Sequence, residues 1–256
     1  MLRYPPRVMK IAVAGKGGAG KTTIAGTLAR ILSDKGYDVI ALDSDPSMNL
    51  HTSLGLENPK PVFDYKDMIQ KRAVVAPGIY SLNPLVNDIP DLCSAKGKNL
   101  KLLVMGTVEN AGSGCICPET TFFKALIRHL VLKRKEVLIL DTEAGIEHLG
   151  RKVAEGFDVF LVVAEPSVKA VEVANRIGDL SKEMGVEKVY CIGNKVLDRE
   201  DEEFIKKKVR FDVLGFVPYD ETVIRGDREG KPLADMHASR AYKAINKVAE
   251  RIIKDS

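Results

Sequence analysis

The sequence predicts an α/β fold, a doubly wound and mostly parallel sheet with helices on both faces. Short apolar runs rich in β-branched residues alternate with segments of helical periodicity along the 256-residue chain. Such alternation is typical of parallel sheets whose strands are joined by helices. A glycine-rich stretch at residues 15–23 lies between the first apolar run and the first helical segment. A loop in that position is typical of phosphate-binding folds.

The predicted strands are short apolar runs, several of which end at a polar residue. They lie at residues 10–14, 39–43, 79–83, 101–105, 137–141, 159–164, 188–194 and 213–218. Apolar residues at helical spacing predict helices over residues 22–35, from Pro118 onward and over residues 238–254. Residues 57–100 contain several Pro and Gly residues and weak periodicity, so the sequence defines the elements of this region least clearly.

The composition is that of a soluble globular protein, with 45% hydrophobic and 29% charged residues and a net charge of +4. No linker or repeat is visible, so residues 8–256 are predicted to form one domain after an N-terminal tail of residues 1–7. No apolar run approaches the roughly 18 residues that a membrane-spanning helix needs. The N-terminus also lacks an apolar signal core, so a cytoplasmic protein is expected.

The charged and amphipathic segments predict neither nucleic-acid binding nor stable membrane association. The densest basic run, residues 206–208 with Arg210, follows closely after three acidic residues and is typical of a solvated helix face. The last helical segment places five apolar residues on one face, and that face is predicted to pack on the sheet rather than on a membrane. These residues are Ala241, Ile245, Val248, Ala249 and Ile252.

The glycine-rich stretch fits the frame G-x-x-x-x-G-K-[ST]. Its residues are Gly15, Lys16, Gly17, Gly18, Ala19, Gly20, Lys21, Thr22 and Thr23. Glycines let backbone N–H groups turn toward a polyphosphate. Lys21 then places a charge at the β- and γ-phosphates, and the Thr22 hydroxyl suits Mg²⁺. The generic loop does not require the second lysine, Lys16.

Acidic side chains follow two of the predicted strands. Asp43 and Asp45 suit Mg²⁺-bound water and an attacking water, although a turn is the alternative because Asp often precedes Pro in turns. Asp141 follows four apolar residues, the position of the second Mg²⁺-side carboxylate in phosphate-loop NTPases. The carboxyl ends of parallel strands share one edge of a sheet, so these groups and Asn194 are expected to lie near the loop.

The loop and the two acidic elements together resemble the deviant-Walker ATPases. This family includes the MinD and ParA positioning proteins, the nitrogenase iron protein and several metallocentre-assembly ATPases. The resemblance covers nearly the whole chain and implies a homodimer that sandwiches ATP. It implies that Lys16 reaches the partner's phosphates as an arginine finger does, while Asp45 orients the attacking water.

The same resemblance implies ATP or ADP and Mg²⁺ as cofactors. Asp43 and Asp141 would act in the Mg²⁺ shell together with Thr22. Asn194 matches the family's adenine-recognising asparagine, and Val217 with Pro218 resembles the loop that covers the base.

A cysteine pair, Cys115 and Cys117, directly precedes Pro118, a residue suited to the first turn of a helix. Two thiols separated by one residue point the same way on an extended backbone, and a helix N-terminus favours the thiolate. Two thiolates are half of a tetrahedral metal site, which a twofold dimer completes. The alternative is a pair of inert small residues, since C-x-C is a weak pattern by itself.

With residues 128–132 and 141–151, the cysteine pair is similar to the CooC-type ATPases, which serve nickel insertion into carbon monoxide dehydrogenase. The resemblance implies a Ni²⁺ or Zn²⁺ site shared across the dimer, and carbon monoxide dehydrogenase or a related nickel enzyme as client. Two alternatives stay open, a cluster-carrying electron-transfer ATPase of the iron-protein type and a MinD/ParA-type positioning ATPase.

The remaining cysteines and histidines give weaker indications of function. Cys191 lies within an apolar strand and is expected in the core, whereas Cys93 lies in the weakly patterned region, where a free loop thiol is one alternative. His129 is expected to be structural. His148 follows the Asp141 loop, where a metal or switching role is the minor alternative.

Overall fold

The computed structural model describes residues 8–107, 118–142 and 151–255. Its strands are β1 (Lys10–Gly15), β2 (Val39–Asp43), β3 (Val74–Ala76), β4 (Ile79–Tyr80), β5 (Ala95–Gly97), β6 (Leu100–Val104), β7 (Val137–Asp141), β8 (Val159–Ala164), β9 (Val189–Val196) and β10 (Val213–Pro218). Its helices are α1 (Lys21–Asp34), α2 (Leu50–Leu54), α3 (Lys66–Ala73), α4 (Ile89–Leu92), α5 (Pro118–Leu132), α6 (Arg151–Ala154), α7 (Val168–Glu183), α8 (Arg199–Lys208), α9 (Glu221–Glu229) and α10 (Arg240–Asp255).

Eight of these strands form one sheet in the order β10-β9-β8-β1-β7-β2-β6-β5. Neighbouring strands run parallel, except that β5 is antiparallel to β6 at the edge. Alternate residues of β1 enter two separate cores. Ile11 packs in the core that includes α1 and α10, whereas Ala12 packs in the core that includes α5 and α7. Helices therefore cover both faces, as predicted, and strands buried on both faces read as continuous apolar runs.

Residues 57–100 differ most from the prediction. The strand predicted at residues 79–83 is present only over Ile79–Tyr80, and it pairs with Val74–Ala76 in a separate two-stranded hairpin instead of joining the large sheet. β5 was not predicted, since its three residues carry too little apolar pattern. Cys93 is a free thiol that directly follows α4, but it is buried (3% exposed), and this burial raises the pKa of its thiol.

The basic segment in α8 and the amphipathic segment in α10 both make contacts within the fold that account for their sequence patterns. All five predicted apolar residues of α10 are buried, and the helix packs against β10 and α1. In α8, Lys206 lies 3.5 Å from both Glu202 and Glu203, and Ile205 is the buried residue of the helix. Each helix within the described ranges is too short or too polar to cross a membrane.

Asp220 joins the start of α9 to the start of α10. Its Oδ1 accepts hydrogen bonds from the Thr222 N–H (3.0 Å) and hydroxyl (2.6 Å). Its Oδ2 accepts from the Ser239 hydroxyl (2.8 Å) and the Ala241 N–H (3.2 Å). Burial acts to raise the pKa of this carboxyl, but the hydrogen bonds outweigh it and hold the pKa well below its usual range.

We predict that Asp220→Ala lowers the free energy of unfolding by about 2 kcal/mol at pH 7, because it removes a helix cap and a buried hydrogen-bonded charge. A lowered pKa in the folded state means that this contribution is present above about pH 4 and is lost as the pH falls further. Urea titrations measure both effects. The exposed Asp212→Ala serves as the matched control, and an equal loss in the two variants would contradict the prediction.

Candidate functional site

The glycine-rich loop joins the end of β1 to the start of α1 at the carboxyl edge of the sheet. Gly20, the residue that precedes α1, has φ 92° and provides no side-chain cap, so N–H groups of the first helical turn are available to an anion. A side chain at Gly15 would place Cβ 2.4 Å from the Val163 carbonyl oxygen, so only glycine fits there. The described geometry is that of a phosphate cradle.

The register of the central strands brings the predicted acidic residues together. Asp43 of β2 lies opposite Asp141 of β7, and Asp141 lies opposite Val13 of β1. Asp43 is fully buried, and its two carboxylate oxygens accept hydrogen bonds from the N–H groups of Asp45 (3.1 Å) and Leu50 (2.9 Å). Burial raises the pKa of Asp43 to about 6.

Asp141 is the strongest indication of a cation site. Neither of its buried carboxylate oxygens has a hydrogen-bond partner within the described ranges. Burial raises its pKa to about 7, although the neighbouring Thr22 hydroxyl and the Lys21 ammonium partly offset this rise. A buried carboxylate without a partner normally belongs to a metal or water site.

The residues around Asp141 fit Mg²⁺ better than a metal held by protein alone. No group of three or more His, Cys, Asp or Glu side chains able to hold a metal is present in the described part of the chain. Mg²⁺ usually takes one or two carboxylates and completes its shell with water and phosphate oxygens. Thr22, Asp43 and Asp141 supply that kind of donor set.

Asp45 contacts the lysine that follows the glycines. Its Oδ2 lies 3.8 Å from the Lys21 Nζ, and the two side chains are 13% and 5% exposed. Its Oδ1 accepts hydrogen bonds from the Ser47 N–H (2.9 Å) and hydroxyl (2.6 Å). Asp45 therefore forms the turn that Asp-Pro favours and also faces the phosphate position.

Lys16, the extra lysine, is half-buried and makes no side-chain hydrogen bond or ion pair with any residue that the structure describes. Its backbone carbonyl accepts a hydrogen bond from the Ala19 N–H (3.1 Å), which closes a turn within the loop. The loop thus holds its own backbone firmly and leaves the Lys16 ammonium available.

A cavity of about 230 Å³ lies beside the loop and contains the three predicted base-site residues, Asn194, Val217 and Pro218. Gly20 and Thr23 line its side toward the loop. Sequence reasoning missed the apolar residues that complete its wall, because three of them lie after β10 in elements that had not been predicted, and the two in α10 were expected only to pack on the sheet. They are Val223, Ile224, Leu233, Ala241 and Ile245.

Asn194 connects this cavity to the loop. Its Nδ2 donates a hydrogen bond to the Ala19 carbonyl (2.7 Å), and a Cβ at Gly20 would lie 2.3 Å from the same nitrogen. The side chain leaves its amide oxygen and second N–H hydrogen for a ligand. An apolar slot with one amide is suited to a purine base.

The predicted metal residues Cys115 and Cys117 lie outside the described residues, and so does His148. Pro118 is the first residue of α5, as expected. On that helix Phe122 is fully buried, and Phe123 packs edge-on against Phe63.

Comparisons with known proteins agree with this site. The family of CobQ/CobB/MinD/ParA nucleotide binding domains matches residues 10–233. An uncharacterized ATP-binding protein of Methanocaldococcus jannaschii is 44% identical, over 96% of this chain and 98% of its own. The carbon monoxide dehydrogenase accessory protein CooC of Rhodospirillum rubrum is 38% identical, over 95% of this chain and 97% of its own.

The fold also has close structural relatives. A ParA family ATPase from Chlorobium tepidum superposes with a TM-score of 0.74 at 21% identity, and the match covers 97% of this chain and 100% of that chain. At this level of identity the likeness establishes the arrangement of strands and helices.

We predict that Asp141→Asn stabilises the nucleotide-free protein on the order of 2 kcal/mol at pH 8. A pKa raised to about 7 means that the buried charge opposes folding above the unfolded-state pKa near 4, so the gain should shrink as the pH falls from 7 toward 4. Urea unfolding at several pH values measures this change. The same variant should lose the Mg²⁺-dependent increase in nucleotide affinity, and a destabilised Asp141→Asn at pH 8 would contradict the prediction.

Proposed function

The chain belongs to the CobQ/CobB/MinD/ParA nucleotide-binding family and is an ATPase, and from this premise we propose that it assists nickel insertion into carbon monoxide dehydrogenase. The observation that carries the proposal is the match to the CooC accessory protein, which extends over nearly the full length of both chains. The C-x-C pair at Cys115 and Cys117 supports it, because soft thiolates suit Ni²⁺ and Zn²⁺.

ATP hydrolysis would use the residues gathered at the carboxyl edge of the sheet. Backbone N–H groups of the loop and the Lys21 ammonium hold the phosphates and stabilise charge on them. Thr22, Asp43 and Asp141 would hold Mg²⁺, which when bound neutralises phosphate charge. Asp45 lies next to Lys21 and is placed to orient the attacking water.

A second copy of the chain would complete the site. The Lys16 ammonium has no side-chain partner among the residues that the structure describes, and by the proposal it donates to the phosphates bound by the partner subunit. Exposed apolar residues at the same edge support association, since Val168, Leu197 and Tyr219 follow β8, β9 and β10 and are 59%, 74% and 37% exposed. Apolar groups grouped beside a binding site are typical of a protein interface.

The metal is cargo in this proposal. Two copies of Cys115 and Cys117 supply four thiolates, which suit Zn²⁺ in a tetrahedral site or Ni²⁺ in a planar one. Binding of ATP favours the closed dimer and hydrolysis favours its opening, so metal is held in one state and passed on in the other. The client would be carbon monoxide dehydrogenase or a related nickel enzyme.

Metal titration of the purified protein tests the cargo site. The double variant Cys115→Ser and Cys117→Ser should lose high-affinity Ni²⁺ and Zn²⁺ binding, expected at one ion per dimer, and should keep ADP affinity. Cys191→Ala is the matched control, because this buried thiol has a pKa raised by burial to about 12 and should not bind metal. Unchanged metal stoichiometry in the double variant would refute the cargo site.

A positioning ATPase of the MinD/ParA type is the second candidate, favoured by the shared fold. In this chain the apolar face of α10 is already used in packing on β10 and α1. Pelleting with anionic liposomes or with DNA in the presence of ATP tests this candidate. An iron-protein type of cluster carrier would instead show a broad visible absorption band after anaerobic purification.

We predict that Asp45→Asn lowers the steady-state kcat for ATP by about 100-fold, because the attacking water loses the carboxylate that orients it. Its Kd for ATP should stay equal or become a few-fold tighter, since Lys21 no longer faces a competing carboxylate. Ser47→Ala is the control, because it removes a contact of Asp45 without removing the carboxylate. A strong loss of ATP affinity in Asp45→Asn would assign this residue to binding instead.

A further inference from the structure

The end of β9 holds the outer side of the phosphate loop through two successive residues. Asn194 donates to the Ala19 carbonyl, and the next residue, Lys195, donates from its Nζ to the Gly18 carbonyl at 2.7 Å. The Lys195 Nζ also lies 2.5 Å from the Glu165 Oε1, at the end of β8. One ammonium thus connects two strand ends to the loop.

We propose that Lys195, held by Glu165, is a positioning residue that keeps the phosphate loop in its anion-binding conformation and presents Lys16. In a trans peptide the C=O and the N–H point in opposite directions, so fixing the Gly18 carbonyl also fixes the N–H of Ala19. That N–H donates to the Lys16 carbonyl at 3.1 Å and closes the turn that carries Lys16. Lys195 therefore acts on Lys16 through a single peptide unit.

The backbone of Lys195 supports this role. It has φ 58°, in the left-handed region that costs a residue with a side chain roughly 1 kcal/mol or more. Strain of this kind persists where the surrounding contacts fix a side chain in place. The side chain is 46% exposed, so packing in the core does not explain the conformation.

Glu165 is itself held on a rigid element. Its carbonyl accepts a hydrogen bond from the Ser167 N–H at 2.7 Å. Ser167 caps α7 by accepting from the Ala170 N–H at 3.2 Å. An exposed ion pair alone contributes little to stability. The Lys195–Glu165 pair differs from an isolated pair, because the Lys195 ammonium also donates to the Gly18 carbonyl and so connects the pair to the phosphate loop.

Nucleotide affinity measured by calorimetry tests the proposal. Lys195→Ala should weaken ADP binding about tenfold while changing the unliganded Tm little, and Lys195→Arg should recover part of the affinity. Glu165→Ala should have a smaller effect. The double variant Lys195→Ala and Glu165→Ala should bind no more weakly than Lys195→Ala, because both changes remove one anchor. Lys206→Ala, which changes an exposed lysine of α8, is the control.

A base-free ligand separates this role from a contact with the nucleotide base, since Lys195 also lines the base cavity. Magnesium pyrophosphate should lose as much affinity as ADP does in Lys195→Ala. Unchanged ADP binding, a loss confined to ADP, or a fall in unliganded Tm parallel to the loss of affinity would each overturn the proposal. The inference rests on nucleotide binding, so failure of metal binding at Cys115 and Cys117 would leave it standing.

Discussion

The parallel register of β1, β7 and β2 is the constraint on which the whole site depends. It places Asp43 opposite Asp141 and ends both strands at the edge where β1 passes into the phosphate loop. Backbone hydrogen bonds buried in the middle of the sheet maintain this register, and a one-residue slip of β2 or of β7 would turn that strand's carboxylate to the opposite face. The catalytic geometry is thus fixed by the core, while the loops around it supply only the groups that contact ligand.

That placement brings two buried carboxylates into the same small volume, and this has an electrostatic consequence. Two backbone N–H groups donate to the Asp43 carboxylate and stabilise its negative charge, but Asp141 has no such donor within the described residues. The negative charges of Asp43 and Asp45 raise the pKa of Asp141 further, beyond the larger effect of burial. A divalent cation relieves both effects together. The unfavourable electrostatic energy of these buried carboxylates therefore favours the binding of Mg²⁺ with nucleotide.

Sequence reasoning succeeded where a pattern has one physical cause. Strands buried on both faces must be apolar throughout, so β2, β7, β8 and β10 were predicted at their observed positions, and α10 was predicted by its buried stripe. It failed where tertiary contacts decide, as in β5 and the β3–β4 hairpin, whose two to three residues carry too little pattern. Of the residues that line the base cavity, the sequence predicted a contact with the base only for Asn194, Val217 and Pro218. The anchor at Lys195 has no sequence signal, because it joins residues 177 positions apart through a left-handed backbone.

The same register also gives the proposed coupling between nucleotide and metal a physical route. Val104, the last residue of β6, lies opposite Asp43, and the Met105 N–H donates to the Asp43 carbonyl at 2.9 Å. The described residues continue from here to Thr107 and resume at Pro118, directly after the cysteine pair. From there α5 packs against α3 and the core on that face. A movement of the residues around Asp43 on hydrolysis would therefore act on both ends of the cysteine-bearing segment, one through β6 and the other through the core that anchors α5. Coupling of this kind needs no separate relay, because the strand that supplies Asp43 is the neighbour of the strand that leads to the thiols.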